Sequence, residues 1–282
     1  MFERLERSWS LVKASAAVLR ENKSLMVLPV LSSICSLIVT ASFLIPAFVS
    51  GAFDHIGSAR HMTPAQFVTL FAFYVSQYFV IIFFNSALIG AALMHLRGER
   101  ATLGDGLRLA ASRLPSILGY AVVSATVGMV LRAIEERAGF VGRIVTGLLG
   151  AAWTLATFMV VPILVSQDVG PIDAVQRSVQ LLKRTWGESL IGNAGIGMAF
   201  SLVFLLVIML AFGLLMLAAN TGSRIATVSV VALGVAAVLL LSIVQAALHG
   251  IYAAAVYRYA EEGDAGAGFE RTLLANAFRL KA

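Results

Sequence analysis

Six long stretches without a single charged residue constrain this sequence more than any other feature. They cover residues 24–53, 61–96, 114–131, 144–167, 189–223 and 225–257. A helix needs about 20 apolar residues to cross the hydrocarbon core of a bilayer, and a spanning backbone must satisfy its own hydrogen bonds. The stretches therefore predict an all-α fold, a polytopic bundle of six transmembrane helices. We place the spans near residues 25–48, 67–95, 114–131, 144–165, 190–217 and 226–257.

The composition excludes a soluble enzyme of this length. Charged residues make up 13% of the chain and hydrophobic residues 59%, whereas an average soluble domain is about 25% charged. The single cysteine, Cys35, excludes an intrachain disulfide framework and is predicted to be an inert packing residue. The first uncharged stretch follows 23 residues of charged sequence, so we expect a retained membrane anchor and not a cleaved signal peptide.

The basic residues are distributed unequally between the connections. Sixteen lie in the N-terminal segment, the 2–3 and 4–5 connections and the C-terminal tail, and five lie in the other connections. Bases are enriched in cytoplasmic loops, so both termini are predicted to be cytoplasmic. The expected partners of the basic segments are anionic lipids of the cytoplasmic leaflet, and nucleic acid is not expected.

Amphipathic helices are predicted before three of the spans. In the N-terminal segment, apolar residues recur every three or four positions at Phe2, Leu5, Trp9, Val12, Ala16 and Leu19. The segment 172–186 repeats this spacing, and a weaker copy begins at Asp105, which aligns with Asp173. Such helices lie in the headgroup region or pack on the bundle, and both can hold at once. The candidate contacts to lipid headgroups are Arg4, Arg7, Lys13, Arg177, Lys183 and Arg184.

Two of these helices also share residue identities at a constant offset. Residues 7–13 and 177–183 have Arg, Ser, Leu and Lys at matching positions. We predict one transmembrane domain, 1–282, organised as three parallel helix-plus-hairpin units. Its parts are an interfacial helix (1–23), a hairpin (24–96), two helix-plus-hairpin segments (104–165 and 172–257) and a cytoplasmic tail (258–282). The alternative is that amphipathic basic helices resemble one another by composition alone. Pro115 is expected to end the second amphipathic helix early, and Pro171 suits the first turn of the third.

Two short segments carry a family resemblance. The segment 3–31, with its Arg7-Ser8-Trp9 core and Leu28-Pro29-Val30-Leu31, resembles the start of an uncharacterised bacterial family of six-span integral membrane proteins. The segment 174–186 is similar to one in a wider group that includes the membrane domain of glycerophosphodiester phosphodiesterases. The resemblance implies six helices in a bacterial cytoplasmic (inner) membrane. It implies no reaction, because no soluble phosphodiesterase domain accompanies the spans in this sequence.

The predicted spans contain no Asp, Glu, Lys or Arg. Proton-coupled transporters, ion pumps and voltage sensors usually keep an ionisable residue inside the membrane, so its absence argues against all three classes. No zinc-protease, P-loop or nucleophile-elbow motif is present. We therefore predict no catalytic residue, metal ligand or cofactor, and expect that the protein is not an enzyme.

The few polar residues in or near the spans are the remaining candidates for a site. Asn85, His95, Asn193, Gln245 and His249 are predicted to converge on a polar cavity open to the cytoplasm. The alternative is that each bonds a neighbouring helix. The sequence favours a non-enzymatic membrane protein that organises lipid or partner proteins, either as a homo-oligomer or beside another membrane protein. The alternative function is a channel or facilitator for a small solute.

Overall fold

The computed structural model describes residues 13–49, 63–137, 139–184 and 186–263, and within them it is helical throughout apart from short turns. The side chains of residues 137–141 and 184–199 lie outside this description. The elements are α1 (described from 13 to 21), a 3-10 turn (Lys23–Met26), α2 (Val27–Val49), α3 (Pro64–Leu96), α4 (Leu103–Ser112), α5 (Leu114–Arg137), α6 (Gly139–Ala156), α7 (Val160–Ser166), α8 (Pro171–Arg184), α9 (Trp186–Asn220) and α10 (Arg224–Glu262).

Six segments of the described chain are long and apolar enough to cross a membrane. They are Lys23–Val49, Pro64–Leu96, Leu114–Glu136, Gly142–Ser166, Phe200–Asn220 and Arg224–Glu262. The prediction of an all-α, six-span protein is therefore confirmed. Local signals set the ends of these helices. Thr63 closes a capping box with Gln66 at the start of α3, and Gly263, at φ 69°, ends α10.

Contacts between the connections define two ends of the bundle. The imidazole of His95 lies 3.2 Å from the carboxylate of Glu21, and Arg97 bonds Glu262 at 2.8 Å. We call this the basic end, formed by residues 13–26, 96–113, 167–184 and 258–263. The opposite, far end carries residues 63–64, 132–137, 139–143 and 220–224. The described parts of the four base-rich segments that the sequence predicted on one side therefore lie at one end of the bundle.

The short amphipathic helices α4 and α8 fold back onto the bundle. Gly106 and Ala110 of α4 are buried, and so are Ala174 and Ser178 at the aligned positions of α8. A Cβ at Gly106 would lie 2.4 Å from the carbonyl oxygen of Ala87, so α4 crosses α3 backbone against backbone. Each helix thus docks on the span that precedes it. The division into three repeats stays a prediction, and this shared docking is an observation in its favour.

The fourth span is interrupted. The sequence predicted one helix over 144–165, but α6 ends at Ala156 and α7 begins at Val160. Pro162 explains the difference, because its ring clashes with the carbonyl group four residues earlier, at Phe158, and it has no N–H to donate. The prediction of an unbroken helix over 144–165 did not allow for this proline.

Two other prolines, Pro115 and Pro171, act as the sequence predicted. The helix α4 ends at Ser112, and Pro115 lies in the first turn of α5. Pro171 is the first residue of α8. Proline is tolerated in a first turn because the N–H groups there have no partner within the helix. Pro115 therefore marks the boundary between α4 and the span that follows it, and Pro171 marks the boundary between α8 and the span that precedes it.

Side-chain burial is concentrated toward the basic end. The buried core there combines the second halves of α3 and α10 with α7 and the docked faces of α1, α4 and α8. Toward the far end, α2, α9 and the first half of α10 expose large apolar side chains on several faces, including Phe48, Leu206 and Leu233. The bundle is therefore closely packed at the basic end and open between its helices toward the far end.

Candidate functional site

A close crossing of α3 and α10 places Asn85 beside Gly250. A Cβ at Gly250 would lie 2.5 Å from Cδ2 of Leu88 and 3.4 Å from Oδ1 of Asn85. Because contacts under 3.0 Å essentially do not occur between a real Cβ and its neighbours, any larger residue at this position would require the side chain of Leu88 to shift. The amide of Asn85 is thus held against the turn of α10 that carries Gly250.

The neighbouring residue, His249, faces the interruption of the fourth span. Its ring lies 5.7 Å from the ring of Phe158, edge to face, and Phe158 also lies 6.1 Å from Tyr252. The interruption therefore brings an aromatic side chain against α10. Pro162 was the sequence signal for this contact. Its ring clashes with the carbonyl group of Phe158, four residues earlier, so the helix is interrupted near Phe158.

Two of the predicted polar residues lie one turn apart on α10, where burial changes sharply. Gln245 and His249 share a face and are both half-buried. Toward the far end, Leu240 is 63% exposed, whereas Ile251 toward the basic end is fully buried, at 0%. The polar pair thus lies at the border between the open and the packed parts of α10.

Asn85 occupies the same border on α3. It is half-buried, and Ile81, one turn toward the far end, is 50% exposed. Leu88, less than a turn toward the basic end, is 2% exposed. We call the region of the bundle that holds these three half-buried residues, Asn85, Gln245 and His249, the polar border.

The other two predicted cavity residues are placed differently. His95 lies ten residues beyond Asn85, about 15 Å along the helix, where it meets Glu21 at the basic end. The structure therefore does not bring His95 to the polar border. Asn193 lies on α9, and its side chain is outside the described residues.

The predicted headgroup contacts are surface residues where the structure describes them. Lys13, Arg177 and Lys183 are exposed at the basic end. Arg177 also bonds the side chain of Gln167, whose amide donates to the hydroxyl of Tyr257 at 3.1 Å. Arg4 and Arg7, and the side chain of Arg184, lie outside the described residues.

Further exposed bases at the basic end were not singled out from the sequence. Arg20, Lys23, Arg100 and Arg108 are four of them, and Arg97, which pairs with Glu262, is a fifth. The side chain of Asn22 donates to the carbonyl oxygen of Ala101 at 3.1 Å, which brings the segments of Lys23 and Arg100 together. Neither of these two bases forms a salt bridge within the described part of the chain. The only sequence signal for these exposed bases was that they lie close to the ends of predicted spans.

Several acids of the basic end are already paired. Glu262 accepts hydrogen bonds from Arg97 at 2.8 Å and Arg258 at 2.9 Å, and Asp168 pairs with Arg113. Asp105 accepts from the hydroxyl of Thr102 at 2.6 Å and from its backbone N–H at 3.0 Å. The hydroxyl bond, then the backbone bond, lowers the pKa of Asp105 below its usual value. Near Asn22, Lys23 and Arg100 have no salt-bridge partner among the described residues, and the exposed acids Glu21 and Glu99 are their near neighbours in the sequence.

The described residues hold no group of three or more His, Cys, Asp or Glu side chains that could bind a metal ion. Cys35 is a half-buried free thiol on α2. The chemistry available at the polar border is therefore neutral hydrogen bonding by two amides and an imidazole.

No curated protein and no solved structure matches the chain. The similarity to the membrane domain of glycerophosphodiester phosphodiesterases therefore stays a prediction from two short segments. A family model does match residues 64–269, which is most of the chain, and its description is "Family of unknown function (DUF6159)". With six candidate spans and this match, the chain belongs to the DUF6159 family.

Proposed function

We propose that this protein is a non-enzymatic, integral membrane protein that organises lipid. The observation that carries the proposal is the contrast in burial along the bundle. The basic end is packed beneath surface helices that expose bases, whereas the far half exposes apolar side chains between its helices. Lipid would contact the protein in two ways, with anionic headgroups at the basic end and acyl chains between the helices of the far half.

The arrangement of charge at the basic end supports the first contact. Lys23 and Arg100 lie on segments joined by the hydrogen bond from Asn22, and both are exposed. A base near an anionic membrane surface contributes about 1 kcal/mol of attraction. Two such bases side by side favour phosphatidylglycerol or another anionic lipid over a zwitterionic one.

The same bases give the proposed orientation. We place the basic end, with both termini, on the cytoplasmic side of the bacterial inner membrane, because bases are retained on that side. A second copy of the chain or another membrane protein would meet the exposed apolar faces of α2, α9 and α10. Such partners would replace lipid at the far half and leave the basic end free.

A channel or facilitator for a small solute is the competing function. The half-buried amides of Asn85 and Gln245 would favour it. Leu88, Ile251 and Tyr252 oppose it, because these buried apolar side chains lie between the polar border and the basic end. A solute would have to displace a close-packed layer of side chains, so lipid organisation is the better account.

Lipid retention measures the proposed function directly. The full chain is reconstituted in nanodiscs of mixed phosphatidylcholine and phosphatidylglycerol, and bound lipids are counted by native mass spectrometry after extraction. We expect retention of phosphatidylglycerol, and a Lys23→Gln/Arg100→Gln variant should bind it roughly tenfold more weakly. Arg224→Gln, which removes an exposed base at the far end, is the matched control. Equal retention of both lipids by the wild-type protein and the double variant would refute the proposal.

A further inference from the structure

A histidine and a glutamate join the last turn of α3 to the last turn of α1. The Nε2 atom of His95 lies 3.2 Å from Oε2 of Glu21. Both groups are open to the surroundings, since the side chain of His95 is 21% exposed and that of Glu21 is 66% exposed. Glu21 directly precedes Asn22 and Lys23 in the chain. The histidine contact therefore lies beside the proposed contact for anionic lipid.

Each base of that lipid contact has an acid close to it in the chain. Lys23 follows Glu21 by two residues, and Arg100 directly follows Glu99. The hydrogen bond from Asn22 to the carbonyl oxygen of Ala101 brings the two segments together. All four charged residues are exposed, and we call them the charged patch. Within the patch the two acids offset the two bases.

The other charges around the last turn of α3 belong to groups that keep their charge near neutral pH. Arg97 and Arg258 both donate to the carboxylate of Glu262. Two further charged residues are exposed on α1 and α10, Arg20 and Glu261. Arginine and glutamate ordinarily stay charged between about pH 5 and pH 8, whereas histidine ordinarily gains or loses its charge there. Among the described residues of the basic end, His95 is the histidine.

We propose that His95 makes the binding of anionic lipid at Lys23 and Arg100 dependent on pH. This inference rests on the proposed function. While the imidazole is neutral, the negative charge of Glu21 repels an anionic headgroup from Lys23. When a proton binds His95, the imidazolium offsets Glu21 and the charge around the patch rises by one. One added positive charge near an anionic surface strengthens binding by about fivefold.

The coupling between proton and lipid runs in both directions. Because a proton on His95 strengthens the binding of anionic lipid, bound anionic lipid strengthens the binding of that proton by the same factor. An anionic leaflet also attracts cations to its surface, protons included. The contact is therefore strongest when the basic end meets an acidified surface rich in anionic lipid.

Lipid retention at several pH values tests the proposal. The full chain is reconstituted in nanodiscs of phosphatidylcholine and phosphatidylglycerol, and the lipids retained after extraction are counted by native mass spectrometry. Extraction is repeated at intervals between about pH 5 and pH 8, the range in which histidine titrates. We expect the ratio of retained phosphatidylglycerol to phosphatidylcholine to fall about fivefold across this range in the wild-type protein.

Two variants fix the charge at the histidine position in opposite senses. His95→Gln keeps a hydrogen-bond donor for Glu21 but takes up no proton, so its lipid ratio should stay at the wild-type value for pH 8. His95→Lys is charged throughout, so its ratio should stay at the wild-type value for pH 5. The control is the double variant His55→Gln/His61→Gln, in a connection predicted on the opposite side of the membrane. It should keep the wild-type dependence on pH.

Elution as a single species in size-exclusion chromatography shows that each variant is folded. A wild-type preference for phosphatidylglycerol that does not change with pH, or that changes equally in His95→Gln, would overturn this inference and leave the proposed function standing. Equal retention of the two lipids at every pH would refute the proposed function and this inference with it.

Discussion

The hydroxyl of Ser178 donates a hydrogen bond of 2.6 Å to the carbonyl oxygen of Ala156. The hydroxyl oxygen of Ser178 itself accepts a hydrogen bond of 3.2 Å from the backbone N–H of Met159. One side chain thus serves backbone groups on both sides of the interruption in the fourth span. Ser178 is fully buried and belongs to α8. A surface helix therefore supplies the hydrogen bonds that a broken membrane helix needs, as non-helical backbone at this depth requires.

Replacing Ser178 with Ala should destabilise the protein. The change leaves the half-buried carbonyl of Ala156 and the buried N–H of Met159 without this partner, which costs roughly 1–3 kcal/mol. The free energy of unfolding is measured by titration with sodium dodecyl sulfate from mild detergent micelles. Ser112→Ala is the control, because Ser112 is exposed and bonds its own helix at Leu109. Equal stability of the two variants would contradict the role assigned to Ser178.

The crossing of α4 and α3 gives a second prediction. A Cβ at Gly106 would lie 2.4 Å from the carbonyl oxygen of Ala87, so Gly106→Ala must push the two backbones apart. Overpacking of this kind costs roughly 1–3 kcal/mol. Gly104→Ala is a control on the same helix, because the nearest atom to its Cβ, Oγ1 of Thr102, would be 3.7 Å away. That variant should be neutral or up to about 1 kcal/mol more stable, through helix propensity.

The same unfolding titration compares the two glycine variants. A Gly106→Ala protein as stable as the Gly104→Ala protein would show that α4 does not cross α3 at this distance.

The capping box of α4 predicts an acid-dependent loss of stability. The hydroxyl of Thr102 lowers the pKa of Asp105, so the folded state favours the ionised carboxylate. A lowered folded-state pKa contributes stability that is fully present above the unfolded value and is lost as pH falls through the folded value. The contribution should therefore be present at neutral pH and disappear below about pH 4, the usual range for Asp.

Thermal midpoints of the wild type and Asp105→Asn between pH 7 and pH 2 measure this contribution. The difference between the two proteins should shrink as the pH falls through the range below 4. A difference that stays constant over the whole range would show that ionisation of Asp105 does not stabilise α4.

The spans were predictable because a bilayer allows few alternatives. Residues 225–257 carry no charge, and only a helix satisfies such a backbone in lipid. The amphipathic register of α4 and α8 was predictable too, since burial follows helical spacing. Pro162 was a sequence signal for the interruption, because a proline inside a helix clashes with the preceding turn, although α2 continues past Pro46 without a break.

The position of the polar border was not predictable from the sequence. Helical periodicity places Gln245 and His249 on one face, but it does not say which span packs there. The approach of Asn85 depends on Gly250 and on the side chain of Leu88, which belong to segments more than 150 residues apart. The position of His95 was unpredictable for the same reason, because its contact with Glu21 depends on how α1 packs against the bundle.

The most direct test of lipid organisation against transport is cysteine accessibility at the polar border. Asn85→Cys and Gln245→Cys are made singly in a Cys35→Ser background and treated in intact membranes with a membrane-impermeant maleimide applied from each side. Ser112→Cys at the exposed end of α4 is the accessible control. We predict that both border cysteines stay unmodified by the impermeant reagent and react with a lipid-soluble maleimide. Modification of both by the impermeant reagent, at a rate near that of Ser112→Cys, would contradict the account and favour an aqueous path.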